Sequence, residues 1–126
     1  MATTLTPIYI YSAAGFGARL VGWHGFPYPD QVLYFKHCQA VHGFGLRQPL
    51  AVRFVDQYQQ ALGDWLCLKP QRVRFQRGAF GVLEMDWQHM AKRHLVWVAF
   101  QQAIQQQQIK RWHWRWPHFG QTHYDK

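Results

Sequence analysis

Cys38 and His42 are the first residues in this chain whose types and spacing could do chemistry. A thiolate beside an imidazole can serve as a nucleophile with its base, or as part of a zinc site. On a helix their i, i+4 spacing shares one face, and at a strand-to-turn corner the two side chains can also converge. Zinc takes three or four protein ligands, however, and no C-x-x-C or H-x-x-x-H set completes the pair. The plainer alternative is a buried thiol packed as a small hydrophobe beside a hydrogen-bonded His. His37 would project to the other side of a strand. Cys38 and His42 are therefore weak metal candidates, and no cofactor is expected.

Two further groups could meet anions. Gly43, Phe44 and Gly45 make a glycine-bracketed turn with Arg47 just beyond it. Exposed turn N–H groups with a nearby guanidinium can hold a carboxylate or phosphate, though the glycines alone are explained by positive φ at a β corner. Arg72 and Arg74, with Arg77 behind them, form a basic stripe that could join Arg53 in contacting nucleic acid phosphates. A charged outer face is also what a half-solvated sheet normally shows.

The end of the chain is the strongest local anomaly. In the run Arg111 to His118, an extended conformation puts Trp112, Trp114 and Trp116 on one side and Arg111, His113 and Arg115 on the other. Each large apolar side chain left in water forgoes about 1.5–3 kcal/mol, so the indoles need a destination. The domain's own sheet is one. Single-stranded bases, a membrane interface and a protein partner are the others. His113, His118 and His123 could crowd together nearby, but the eight histidines form no ligand cluster in sequence.

No catalytic acid–base set stands out. Between Asp30 and Asp125 the acidic residues are Asp56, Asp64, Glu84 and Asp86, and no phosphate-loop or dinucleotide fingerprint is present. The 126 residues suffice for one domain with a real core, and seven Trp, six Tyr and nine Phe supply rings to fill it. Fourteen Lys and Arg against six Asp and Glu give a formal charge of +8, which favours polyanionic partners. Two cysteines, 29 positions apart, make no disulfide framework and suit a reduced, cytoplasmic protein. The first twenty residues lack a charged start with a continuous apolar core, so they read as a strand and not a secretion signal. Leu95 to Phe100 is the longest apolar run, far too short to cross a bilayer.

Short strands punctuated by Gly and Pro must position these residues. They are expected at Leu5 to Ser12, Gln31 to Lys36, Pro49 to Asp56, Trp65 to Leu68, Gln71 to Gln76 and Phe80 to Met85. In the third, Leu50, Val52 and Phe54 share one face, with Ala51, Arg53 and Val55 on the other. In the fifth, Val73 and Phe75 are expected to face inward and Arg72, Arg74 and Gln76 outward. Asp86 reads as an N-cap, and the stretch from Trp87 to Lys110 contains neither Gly nor Pro. Val96, Phe100, Ala103 and Gln107 fall at helical spacing with Trp97 and Ile104 alongside, which predicts an amphipathic helix over about 87–110.

Cys38 to Asp56, CQAVHGFGLRQPLAVRFVD, resembles the signature of the bacterial and archaeal family called domain of unknown function 192. There a Cys, a His and a small–aromatic turn precede a Met, a Pro and an Ile-Asp strand ending in Leu-Asp. Ala18 to Trp23 resembles its entry segment, Leu68 to Val73 its Pro-centred link, and Gly78 to Glu84 its final strand ending in Leu-Glu. The resemblance covers about residues 5–87. It implies a compact, mainly antiparallel β domain similar to a distorted sandwich, with no established activity. The chain departs from the pattern at Leu46, where the family usually has Met, and at Ala51, where it has the strand Asp.

These readings together predict a single mainly β domain, an antiparallel sandwich or distorted barrel over about 5–86. A C-terminal helix and a Trp-rich tail at 111–126 are expected as additions. The expected function is non-enzymatic binding or assembly through that helix and tail, with another protein or a second copy as partner. Alternatives are single-stranded nucleic-acid binding, and a small metal- or thiol-dependent enzyme at Cys38 and His42. A membrane surface is a less favoured partner.

Overall fold

The computed structural model describes residues 7–15, 18, 19 and 22–114. Among them, eight strands make two sheets, with an α-helix before the last strand: β1 (Ile10–Ala14), β2 (Val32–Lys36), β3 (Ala40–His42), β4 (Leu50–Val55), β5 (Leu66–Leu68), β6 (Val73–Phe75), β7 (Gly81–Asp86), α1 (Arg93–Gln106) and β8 (Lys110–His113). The main sheet has the order β5-β4-β7-β2-β1-β8, and β3 pairs β6 in a separate two-stranded ribbon.

A mainly β body with a C-terminal helix is as expected, but two features of the expectation need correction. The main sheet ends at β5 and β8 and is not closed into a barrel. Nor is it wholly antiparallel: β1 runs parallel to both β2 and β8. The long excursions between these strands allow parallel pairing, which a two-residue hairpin cannot.

Both faces of the sheet are covered. In β4, Leu50, Val52 and Phe54 pack in one cluster and Ala51 and Val55 in the other, as the alternation predicts. The strand is buried on both sides. On one face α1 buries Val96, Phe100 and Ala103 against Ile10, Val32, Tyr34, Leu83 and Met85. The opposite face is closed by Phe26, by Val41 of β3 and by Trp112 of β8.

Asp86 does act as an N-cap, its carboxylate accepting from the Gln88 N–H at 2.9 Å. The segment it starts is a 3-10 stretch, Trp87–Lys92, before the α-helix proper. Gln107, expected on the apolar stripe, instead ends α1 in the left-handed conformation, its N–H donating back to Ala103 and Ile104.

The late segment belongs to the core. Trp112 pairs in register with Ala13, is 8% exposed, and meets the Phe26 ring edge-on at 5.2 Å between centroids. Trp114 also packs against this cluster. The edge of β1 offered unpaired backbone groups, and the Trp112 indole needed cover; β8 answers both needs. Trp116, Arg115, His118 and His123 lie outside the described residues.

A polar strut ties the two sides of the helix face. The Tyr34 hydroxyl donates to Gln59 Oε1 at 2.6 Å, and Gln101 of α1 donates to the Gln59 carbonyl at 3.0 Å. Burial pushes the Tyr34 phenol up to about 12, against the lowering effect of that hydrogen bond, so it stays a donor.

Candidate ligand-binding site

Glu84 stands in the middle of β7, an interior strand of the main sheet. Its cross-strand partners are Leu33 on β2 and Val52 on β4, so a carboxyl occupies a position that its neighbours fill with branched aliphatics. It is 4% exposed. Among the described residues no group is hydrogen-bonded or ion-paired to its side-chain carboxyl, and burial is the one cause acting on its titration. Burial alone pushes its pKa up to about 8, so at neutral pH it is largely a neutral acid.

The carboxyl lines a cavity of about 140 Å³. Trp23 and His24, from the 3-10 turn Gly22–Gly25, and Phe35 of β2 form part of its wall. Cys38, Val41 and His42 come from β3 and its approach, and Phe44 and Leu46 from the turn that follows. Arg19 also borders it and reaches the His37 carbonyl at 3.5 Å.

This corner depends on glycine. Gly43 runs so close to the Lys69 backbone that a Cβ would collide with the carbonyl oxygen, and Gly45 adopts φ +85°. Gly43 donates to the Arg72 carbonyl at 2.8 Å and accepts from Gln71 at 3.0 Å, joining the turn to the loop before β6.

The structure brings Cys38 and His42 to the same cavity, in company with Glu84. Their chemistry is constrained, however. The Cys38 thiol donates to the Ala40 carbonyl at 3.1 Å. Burial pushes its pKa up; the Ala40 hydrogen bond opposes this, the Glu84 charge adds to it, and Arg19 pulls it down. A protonated thiol is a poor nucleophile. His42 accepts the Phe44 N–H at Nδ1, 3.2 Å away, and its ring stacks on Phe44. Among the described residues no three His, Cys, Asp or Glu side chains are arranged to hold a metal ion. Both cysteines are free.

The remaining sequence candidates lie elsewhere. Arg47 is exposed and does not line the cavity, and the turn N–H groups of Gly43, Phe44 and Leu46 are engaged within the protein. Arg72 and Arg74 are exposed near β6, but the expected orientation of that strand is reversed. Arg74 pairs with buried Val41 and donates to the Cys67 carbonyl at 3.0 Å, whereas Val73 and Phe75 face solvent. Alternation shows which residues share a face and leaves open which face turns inward; here Arg74 shares the face of buried Val41, and all three β6 residues are exposed. Arg53 is separate from this stripe. It donates to the Gly63 carbonyl at 3.0 Å and lies over Trp97 and Trp65, 4.5 and 5.8 Å from the ring centroids.

Sequence reasoning alone does not single out Glu84, Trp23, Phe35 or Arg19 as site residues. For Glu84 a signal is present: in FGVLEM it shares the parity of Val82, a face that must be buried if the strand is interior. Among the described residues no helix is long and apolar enough to cross a membrane. Searches of family models, curated proteins and solved structures found no match to this chain.

Proposed function

We propose that this protein binds a small ligand with a single flat ring in the cavity above β7, and that Glu84 recognises it by hydrogen bonding. The observation that carries this reading is a buried carboxyl that has no partner among the described residues and lines a cavity. Such a group costs several kcal/mol in a sheet that aliphatic residues would fill without penalty, so its presence is best explained by a ligand. The cavity is about the size of the engineered apolar cavity that holds benzene, which limits the ligand to roughly one ring. Trp23, Phe35 and Phe44 suit a flat apolar face, and a protonated carboxyl offers one donor and one acceptor.

Thiol chemistry at Cys38 is less well supported, because its environment favours the neutral thiol. Assembly through the tail is weakened by the burial of Trp112. Cytoplasmic residence and distant kinship with the domain of unknown function 192 family remain part of this proposal. The Cys-to-Asp signature forms β3, the corner and β4, beside the cavity. Ala51, where the family has Asp, packs on the helix face, away from it.

A panel of monocyclic heteroaromatic compounds, screened by protein-observed NMR, tests the proposal. Binders should shift the resonances of Cys38, His42 and Glu84, and should lose at least tenfold in affinity with Glu84→Leu, the equivalent of about 1.4 kcal/mol. A panel without binders at the cavity, or binders indifferent to that substitution, would overturn it.

A further inference from the structure

Resting on the cavity as a single-ring site, we infer that its ligand is a pyrimidine base of single-stranded nucleic acid, with neighbouring nucleotides lying on the outer face of the β3–β6 ribbon. The register sets Ala40 opposite Phe75 and His42 opposite Val73, and directly paired residues share a face. All four are exposed, Phe75 at 62% and Val73 at 57%. Phe44, 53% exposed, stacks on His42 at 5.0 Å and 27°, extending this surface. Ala40, His42 and Phe44 also line the cavity, so the aromatic face and the cavity are continuous.

Charge selects the polymer. The chain carries +8, and Arg72 and Arg77 are exposed on either side of β6. A second copy would bring like charge to this face, and an acidic peptide would bring charge without rings. A single strand supplies a phosphate and a flat π-face with every nucleotide. The cavity suits one six-membered ring better than the two fused rings of a purine. Protonated Glu84 can donate to and accept from the adjacent acceptor and donor on a pyrimidine's pairing edge.

Free nucleosides present the same ring without a strand, so both are needed as probes. Fluorescence anisotropy would measure binding of labelled pyrimidine and adenine oligonucleotides of about 12 nucleotides, a length within the span of small single-strand sites. Cytidine and uridine would be titrated by NMR. The pyrimidine oligomer should bind at least tenfold more tightly than either nucleoside or the adenine oligomer. Phe75→Ser, at an exposed position that leaves the core intact, should weaken the oligomer about tenfold and leave nucleoside binding unchanged. Replacing Arg72 and Arg77 by Gln should lower the salt slope by about 0.7 for each phosphate that is no longer neutralised.

Nucleosides that bind through Glu84, with an oligomer no tighter and indifferent to Phe75→Ser, would overturn the strand and leave the single-ring site standing. Failure of both probes at low salt would also overturn it, and the heteroaromatic panel then judges the cavity separately. An oligomer unaffected by Glu84→Leu, or an acidic peptide that binds more tightly, would end the inference as well.

Discussion

Glu84 stands directly opposite Val52 in the antiparallel pairing of β7 with β4, both on the face of the sheet that borders the cavity. A carboxyl is thus held where packing calls for a methyl group, and its ionisation is tied to folding.

That linkage predicts a pH dependence. Below about 4.5, the ordinary carboxyl value, folded and unfolded chains both hold the Glu84 proton. Between there and about 8 the unfolded chain ionises while the folded one keeps its proton. The unfolded state then binds fewer protons, and stability falls with rising pH by up to about 1.4 kcal/mol per unit before levelling off. Urea unfolding at pH 5, 7 and 9 should show Glu84→Gln gaining on the natural chain as pH rises, by a few kcal/mol at the upper end. Parallel curves for the two proteins would contradict the burial of an ionisable group there.

Cys38 should be a sluggish thiol. In a Cys67→Ser background, its alkylation at neutral pH is expected to be several-fold slower than that of free cysteine, because burial opposes the thiolate. Faster alkylation would restore the case for nucleophilic chemistry.

The burial of Trp112 makes the C-terminal segment a structural element. Trp112→Ala should cost about 3–5 kcal/mol, as large aromatic truncations in cores do. Removing everything after Ile109 should destabilise the sheet as well. A truncated chain with undiminished thermal stability would return the tail to the role of a free contact surface.

At Gly43, substitution by alanine is expected to lower stability by about 1–3 kcal/mol, since the new methyl group meets the Lys69 carbonyl and the corner must open. Denaturation midpoints would measure the loss. NMR shifts at Cys38 and His42 would show whether the cavity wall moves with it.

Much of this fold was legible locally. The alternation in β4 sorted Leu50, Val52 and Phe54 from Ala51 and Val55, because a strand's side chains must alternate. Asp86 as a cap, and Val96, Phe100 and Ala103 as a buried stripe, followed from spacing alone. Cys38 and His42 were also recognisable as side chains able to converge, and both line the cavity.

Other features depend on partners distant in sequence. Pairing of β8 with β1 joins residues about a hundred positions apart, and no local pattern encodes that meeting. Val73 and Phe75 obey the same alternation as any half-buried pair, yet the ribbon presents them to solvent because Arg74 and Val41 take the inner side. Glu84 looked ordinary as one of six acidic residues. The amino-acid order settled periodicity, caps and turns, since these arise between near neighbours. Tertiary packing made that carboxyl exceptional by placing β7 between β4 and β2 and roofing it with the β3 corner, because desolvation depends on what surrounds a group in space.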